Sequence, residues 1–153
     1  MRRSLAISLL FLAFLPACRK AESAIVETSH PKYSPGQIWR YKTRLTEPQS
    51  RAVVLRIDKS PVAGFIIHVA LNGVALKSPS SPDGVAREIS HLPFSEAAVD
   101  QSVTELESVG TIPNFGEGYQ TWREAFDQHK AGVWTVAFAE AVAAMETALN
   151  QGK

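Results

Sequence analysis

The sequence predicts an α+β fold: an antiparallel sheet of about four to five strands followed by about three helices packed on one face. Three observations lead there. Between about Gln37 and Leu92, apolar and polar residues alternate, the period of half-buried strands. From Ser95 onward the spacing changes to i, i+4, i+7, the period of an amphipathic helix. The two patterns are segregated along the chain, which favours an antiparallel sheet with helices beside it over repeated βαβ units.

Gln37 to Leu45 (QIWRYKTRL) puts Trp39, Tyr41, Thr43 and Leu45 on one face and Arg40, Lys42 and Arg44 on the other. Thr46 to Ser50 supplies a turn. Arg51 to Asp58 repeats the alternation, with Val53, Leu55 and Ile57 directed inward. Gly64 to Leu71 (GFIIHVAL) places Phe65, Ile67, Val69 and Leu71 on one face, and His68 on the other beside Ile66 and Ala70. Asn72-Gly73 lies between apolar runs and predicts a hairpin turn, because both residues tolerate positive φ. Val74 to Lys77 is then the returning strand, Ser78 to Gly84 a loop and Val85 to Leu92 a last strand.

Ser95 has the place of an N-cap, with Phe94 stapled onto Val99. Val99, Val103 and Leu106 form the buried stripe of a first helix that Gly110 ends. Asn114 and Glu117 have capping-box spacing for a second helix to about Lys130, which aligns Tyr119, Trp122 and Phe126 and stops near Gly132. Thr135 caps a third, carrying Phe138, Val142, Met145 and Leu149. Glu140 and Glu146 argue against a membrane span in this apolar stretch.

The chain has 153 residues, 45% of them hydrophobic and 20% charged, an ordinary globular balance with enough length to bury a core. Net charge is +1. There is no concentrated basic excess, so no nucleic-acid partner is expected. The single cysteine, Cys18, excludes an internal disulfide.

Met1-Arg2-Arg3 precedes an apolar run of 11 residues, Leu5 to Leu15. A transmembrane helix needs about 20; this layout is that of a secretory signal. Leu15-Pro16-Ala17-Cys18 resembles the lipobox of bacterial lipoproteins. The resemblance implies diacylglyceryl transfer to the Cys18 sulfur, cleavage before Cys18 and acylation of the new amine. That resemblance covers only the leader, a signal peptide over 1–17. The polar, proline-punctuated stretch after it reads as a lipid-anchored flexible tether over 18–35, followed by a single α+β domain over 36–153. Arg19 rather than Asp follows the cysteine, which implies the periplasmic side of the outer membrane where two membranes are present. The phrases IWRYKTR, HVALNGVALK, ISHLPFSEAAVDQSV, GYQTWREAF and AGVWTVAFAEAV resemble those of an uncharacterised family of small bacterial proteins. That resemblance supports one compact domain and carries no activity or functional residue.

Arg40, Lys42, Arg44, Arg56 and His68 can share one sheet face, a candidate anion or ligand face because guanidinium forks suit carboxylates. The plainer reading is a solvated face paired with Glu47, Asp58 or Glu88 across strands. His30, His68, His91 and His129 lack metal-ligand spacing, so no metal or other cofactor is expected. His91 precedes Leu92-Pro93-Phe94-Ser95, and a His near a Ser is a hint of nucleophilic catalysis. Ser95 is better explained as a cap, and no G-x-S-x-G elbow is present, so no catalytic residue is assigned. The expectation is a membrane-anchored envelope lipoprotein whose domain binds an unidentified envelope protein or a small ligand. Two alternatives stand beside it: a small envelope hydrolase using His68 or His91, and an immunity-type inhibitor of an envelope toxin, for which the arginine stripe is the candidate surface.

Overall fold

The computed structural model describes residues 25–151. Cys18, the leader and the first part of the expected tether lie outside them. Among the described residues, six strands form one antiparallel sheet: β1 (Val26–Glu27), β2 (Gln37–Tyr41), β3 (Arg51–Ser60), β4 (Gly64–Lys77), β5 (Val85–Ser95) and β6 (Val103–Val109). The helices are α1 (Glu96–Ser102), α2 (Gly116–Asp127) and α3 (Phe138–Asn150). The strand order is β5-β4-β3-β2-β6, and β1 pairs with the end of β3, Val26 opposite Lys59 and Glu27 opposite Asp58. This is the expected α+β architecture.

The sheet has two surfaces to bury, because β3 and β4 carry apolar residues on both sides. Ile67, Val69 and Leu71 join Leu92 and Phe94 of β5, Val99 of α1 and Phe138, Ala141 and Val142 of α3 in the main core. On the other side, Ile66 packs with Trp122 and Ile25, and Val53, Leu55 and Ala70 pack with Ile38 and Phe115. Helices α1 and α3 therefore cover one face, while α2 takes the other. Fully burying a large apolar side chain such as Ile66 or Phe138 contributes about 1.5–3 kcal/mol, so a bare second face would forfeit several such terms.

The sequence reading packs the helices on one face, so α2 on the opposite face is one departure from it; six more follow. Residues 25–35, expected within the tether, belong to the fold: Ile25, His30 and Tyr33 are buried. The His30 ring is structural, its Nδ1 accepting from the Lys32 and Tyr33 N–H groups at 3.1 Å and its Nε2 meeting Glu96 Oε1 at 3.0 Å. In β3 a bulge interrupts the register between Val54 and Arg56. It turns Val53 and Leu55 to the α2 side while Ile57 stays in the main core; an extra residue in one strand reverses the alternation beyond it. Asn72-Gly73 makes no hairpin. Both residues lie inside the continuous β4, where Gly73 takes φ 79 and the pairing to β5 slips between Asn72 and Leu76. The pair gives a kink, the alternative use of positive φ.

Val103 to Val109 is strand β6, not a continuation of the first helix. Ser95 caps α1 as expected, its side chain accepting from Ala98 N–H. Ser102 Oγ then donates to Ala98 O at 2.6 Å and accepts the Phe138 N–H at 2.9 Å. The β-branched residues beyond it pair with the open edge of β2, which satisfies backbone groups that a longer helix would leave bare. Finally, α2 and α3 begin at Phe115 and Ala137 without side-chain caps. Asn114 lies one residue further out and accepts the Gly116 N–H, and Thr135 is not a cap. At the far end of α2, His129 rather than glycine occupies the left-handed position, with φ 57. The bonds His129 N–H to Phe126 O and Lys130 N–H to Ala125 O complete a Schellman motif.

Candidate functional site

The α2 face of the sheet holds a line of polar groups that begins in the interior and ends in a cleft. Asp58 is fully buried near the end of β3. Its Oδ1 accepts Arg56 Nε at 2.8 Å and its Oδ2 accepts the Tyr119 hydroxyl at 2.8 Å. The β3 bulge sets Arg56 opposite His68 and on the same side as Asp58. Arg56 also reaches Glu27 Oε2 at 2.7 Å and lies 4.8 Å from the centre of the Tyr119 ring.

His68 in β4 is fully buried. Its Nε2 is 3.3 Å from Asp58 Oδ2, at an angle too oblique for a hydrogen bond, so that contact is electrostatic. Its Nδ1 is 2.9 Å from Nε2 of His91 on β5. The two imidazoles stack at 18°, and Trp122 packs edge-on to His68 at 4.8 Å. A carboxylate beside His68 Nε2 favours the proton on that nitrogen, since the other tautomer would set a lone pair against an anion. His68 Nδ1 is then the acceptor and His91 Nε2 the donor. By this reasoning His91 Nδ1 is left as a lone pair.

The His91 ring borders a cleft of about 750 Å³ lined by residues of β5 and α2, among them Ser90, Phe115, Glu117, Gly118, Thr121 and Trp122. Gly118 permits the close approach of helix and ring, for a Cβ there would lie 2.9 Å from His91 Cβ. His91 Nδ1 has no hydrogen-bond partner among the described residues.

Burial, followed by the neighbouring His68, pushes the His91 pKa down to about 4, against a smaller upward pull from Asp58. Burial likewise lowers His68, outweighing the pull of Asp58. Burial alone would raise Asp58, but the neighbouring His68 and the hydrogen bonds from Tyr119 and Arg56 together hold it below the usual carboxylate range. At neutral pH the line therefore reads as carboxylate, neutral imidazole, neutral imidazole.

The residues proposed as one basic face are not one site. Arg56 and His68 meet at Asp58. Arg40 pairs with Glu107 at 3.0 Å, which also binds Arg51. Lys42 Nζ donates to Gln101 O. Arg44 forks onto the buried Glu47 and reaches Glu146 at 3.3 Å. The four cations are thus already matched by carboxylates or a carbonyl. His129 stands at the end of α2, away from the cleft lining. Among the described residues, no group of three or more His, Cys, Asp and Glu is arranged to hold a metal.

Sequence reasoning places Asp58 as an ion-pair partner across strands and Tyr119 on the aligned aromatic face of the second helix, and joins neither to the histidines. A signal was present: Asp58 and His68 are titratable residues set among the apolar runs of β3 and β4. No protein-family model, curated protein or solved structure matches the chain.

Proposed function

We propose that the chain is an exported bacterial envelope lipoprotein, anchored through Cys18, whose single α+β domain binds a small ligand in the cleft between β5 and α2. The observation that carries the binding role is the cleft of about 750 Å³ with His91 on its wall. Its volume falls in the range of small-molecule sites, and it opens broadly to solvent. The anchor rests on the lipobox-like leader. Among the described residues no helix is long and apolar enough to cross a membrane, and two or more acyl chains suffice for stable attachment. Ile25 is already packed, so an anchor at Cys18 leaves six residues between lipid and fold.

Two experiments test the two halves. Metabolic labelling with a fatty acid should mark the wild type and fail in Cys18→Ser; equal labelling removes the anchor. Ligand-observed NMR with a fragment panel should show binding that Thr121→Trp, which fills the cleft, abolishes. Binding untouched by that substitution, or none, removes the cleft.

The line from Asp58 through His68 to His91 favours one second reading, a small hydrolase with His91 as base. It requires a nucleophile presented to His91 Nδ1, and no hydroxyl among the described residues is bonded there. Hydrolysis of p-nitrophenyl acetate that His91→Gln abolishes would support it. For the inhibitor reading the exposed cations of the stripe are Arg40 and Lys42, each in contact with a neighbour in the same chain.

A further inference from the structure

We propose that the cleft is selective for a small organic cation, a primary or secondary ammonium carried on an aromatic or apolar body. The inference rests on the cleft being a ligand site and names its ligand class. Three features of the lining converge on it. His91 offers a hydrogen-bond acceptor, because the contact to His68 leaves the lone pair on Nδ1. The described lining includes one carboxylate, Glu117, and no Lys or Arg. Glu117 is exposed and has no ion pair among the described residues. The walls include Phe115 and the edge of the buried Trp122, aromatic surface that suits the carbon body of such a ligand.

An ammonium group has N–H donors and no acceptor. It would give one donor to His91 Nδ1, set its charge towards Glu117 and lay its carbon body along Phe115 and Trp122. A carboxylate or phosphate would find a lone pair and an anion at the same positions. The first turn of α2 also borders the cleft, and a helix N-terminus attracts anions. That end is already answered by Asn114 Oδ1 on the Gly116 N–H and by Glu117 in the first turn. The positive groups behind the wall are matched as well, Arg56 by Asp58 and Glu27, and Arg123 by Asp127. The cleft therefore faces its ligand with net negative character.

The test compares three probes of similar shape by isothermal titration calorimetry at pH 7, on the full chain purified in detergent. They are 2-phenylethylammonium, 2-phenylethanol and 3-phenylpropanoate. The ammonium should bind about tenfold more tightly than the carboxylate, with the alcohol between, because the anion meets Glu117 and a lone pair while the cation is attracted by both. Glu117→Gln, at an exposed position that does not endanger the fold, should narrow the ammonium-to-carboxylate ratio by about threefold or more. His91→Gln should weaken the ammonium by about fivefold. Equal or tighter binding of the carboxylate, equal binding of the alcohol, or no binding of the ammonium overturns the inference. In each of those cases, fragments that still enter the cleft preserve it as a ligand site. If no fragment enters, the ligand-site reading falls too.

Discussion

Glu47 completes the backbone hydrogen bonding of Ala75. The carboxylate is buried in the turn between β2 and β3, and its Oε2 accepts the Ala75 N–H at 2.7 Å. Arg44, forked onto the same carboxylate, donates to the Ala75 carbonyl at 3.1 Å. Pairing to β3 starts only at Arg51 opposite Asn72, and on the other side β4 still meets β5 at Leu76 and Lys77. Along the β3 side of this stretch two side chains do what a strand would otherwise do. Helix α3 repeats the device two residues on: Glu146 accepts the Lys77 N–H and Asn150 donates to the Lys77 carbonyl.

Glu47→Ala should therefore cost about 3 kcal/mol, the usual consequence of removing one partner from a buried ion pair. It leaves Arg44 and the Ala75 N–H short of their acceptor. Urea unfolding gives the number, and a loss below about 1 kcal/mol would show that water replaces the carboxylate.

Stability should fall as pH is lowered from about 6.5 towards 4. His91 and His68 have folded-state pKa values below the unfolded value of 6.5. In that window the unfolded chain binds protons that the folded chain refuses, so acid favours unfolding. The contribution is fully present above the unfolded pKa and is lost as pH falls through the folded one. One such group changes stability by at most about 1.4 kcal/mol per pH unit, less for the part-exposed His91. Thermal melts between pH 4 and 7 should show a shallower dependence in His91→Gln; an unchanged slope would mean that His91 protonates freely in the native state.

Gly118→Ala should move the His91 ring. The added methyl would come within 2.9 Å of His91 Cβ and 3.7 Å of Nδ1. Either α2 or β5 must give way, at about 1–3 kcal/mol for a small-to-large change in a packed contact. The direct readout is the His91 imidazole signal in a ¹⁵N spectrum, which should shift while that of His30 stays in place.

His129→Gly should stabilise the domain by up to about 1 kcal/mol, the steric cost of a left-handed residue bearing a Cβ. The Schellman bonds at the end of α2 need that conformation whatever the residue. Because His129 lies outside the cleft lining, ligand affinity should not change.

The fold class was legible because alternation and helical spacing report which side of an element is buried, and β2, β4 and α3 follow them. The bulge in β3 was not legible, since one extra residue is visible only against its partner strand. Val103, Thr104 and Leu106 suit a helix stripe or a strand equally well; the open edge of β2 decided between them. The site was half legible. His68 and His91 stood out as histidines, but they are 23 residues apart, and only the antiparallel register of β4 and β5 brings them together. Asp58 looked like an ordinary surface partner for arginine until α2 was seen to cover it.

The short strand β1 has a mechanical consequence. The described residues begin at Ile25, whose carbonyl accepts from Arg123 of α2 at 3.4 Å, and pass at once to Glu27 opposite Asp58. Any pull that reaches Ile25 is therefore borne by two residue pairs at the end of β3, beside the carboxylate that orders both imidazoles. Tension and cleft chemistry share one attachment point. Loosening Glu27 from Arg56 would release Asp58 on that side before it disturbed the main core.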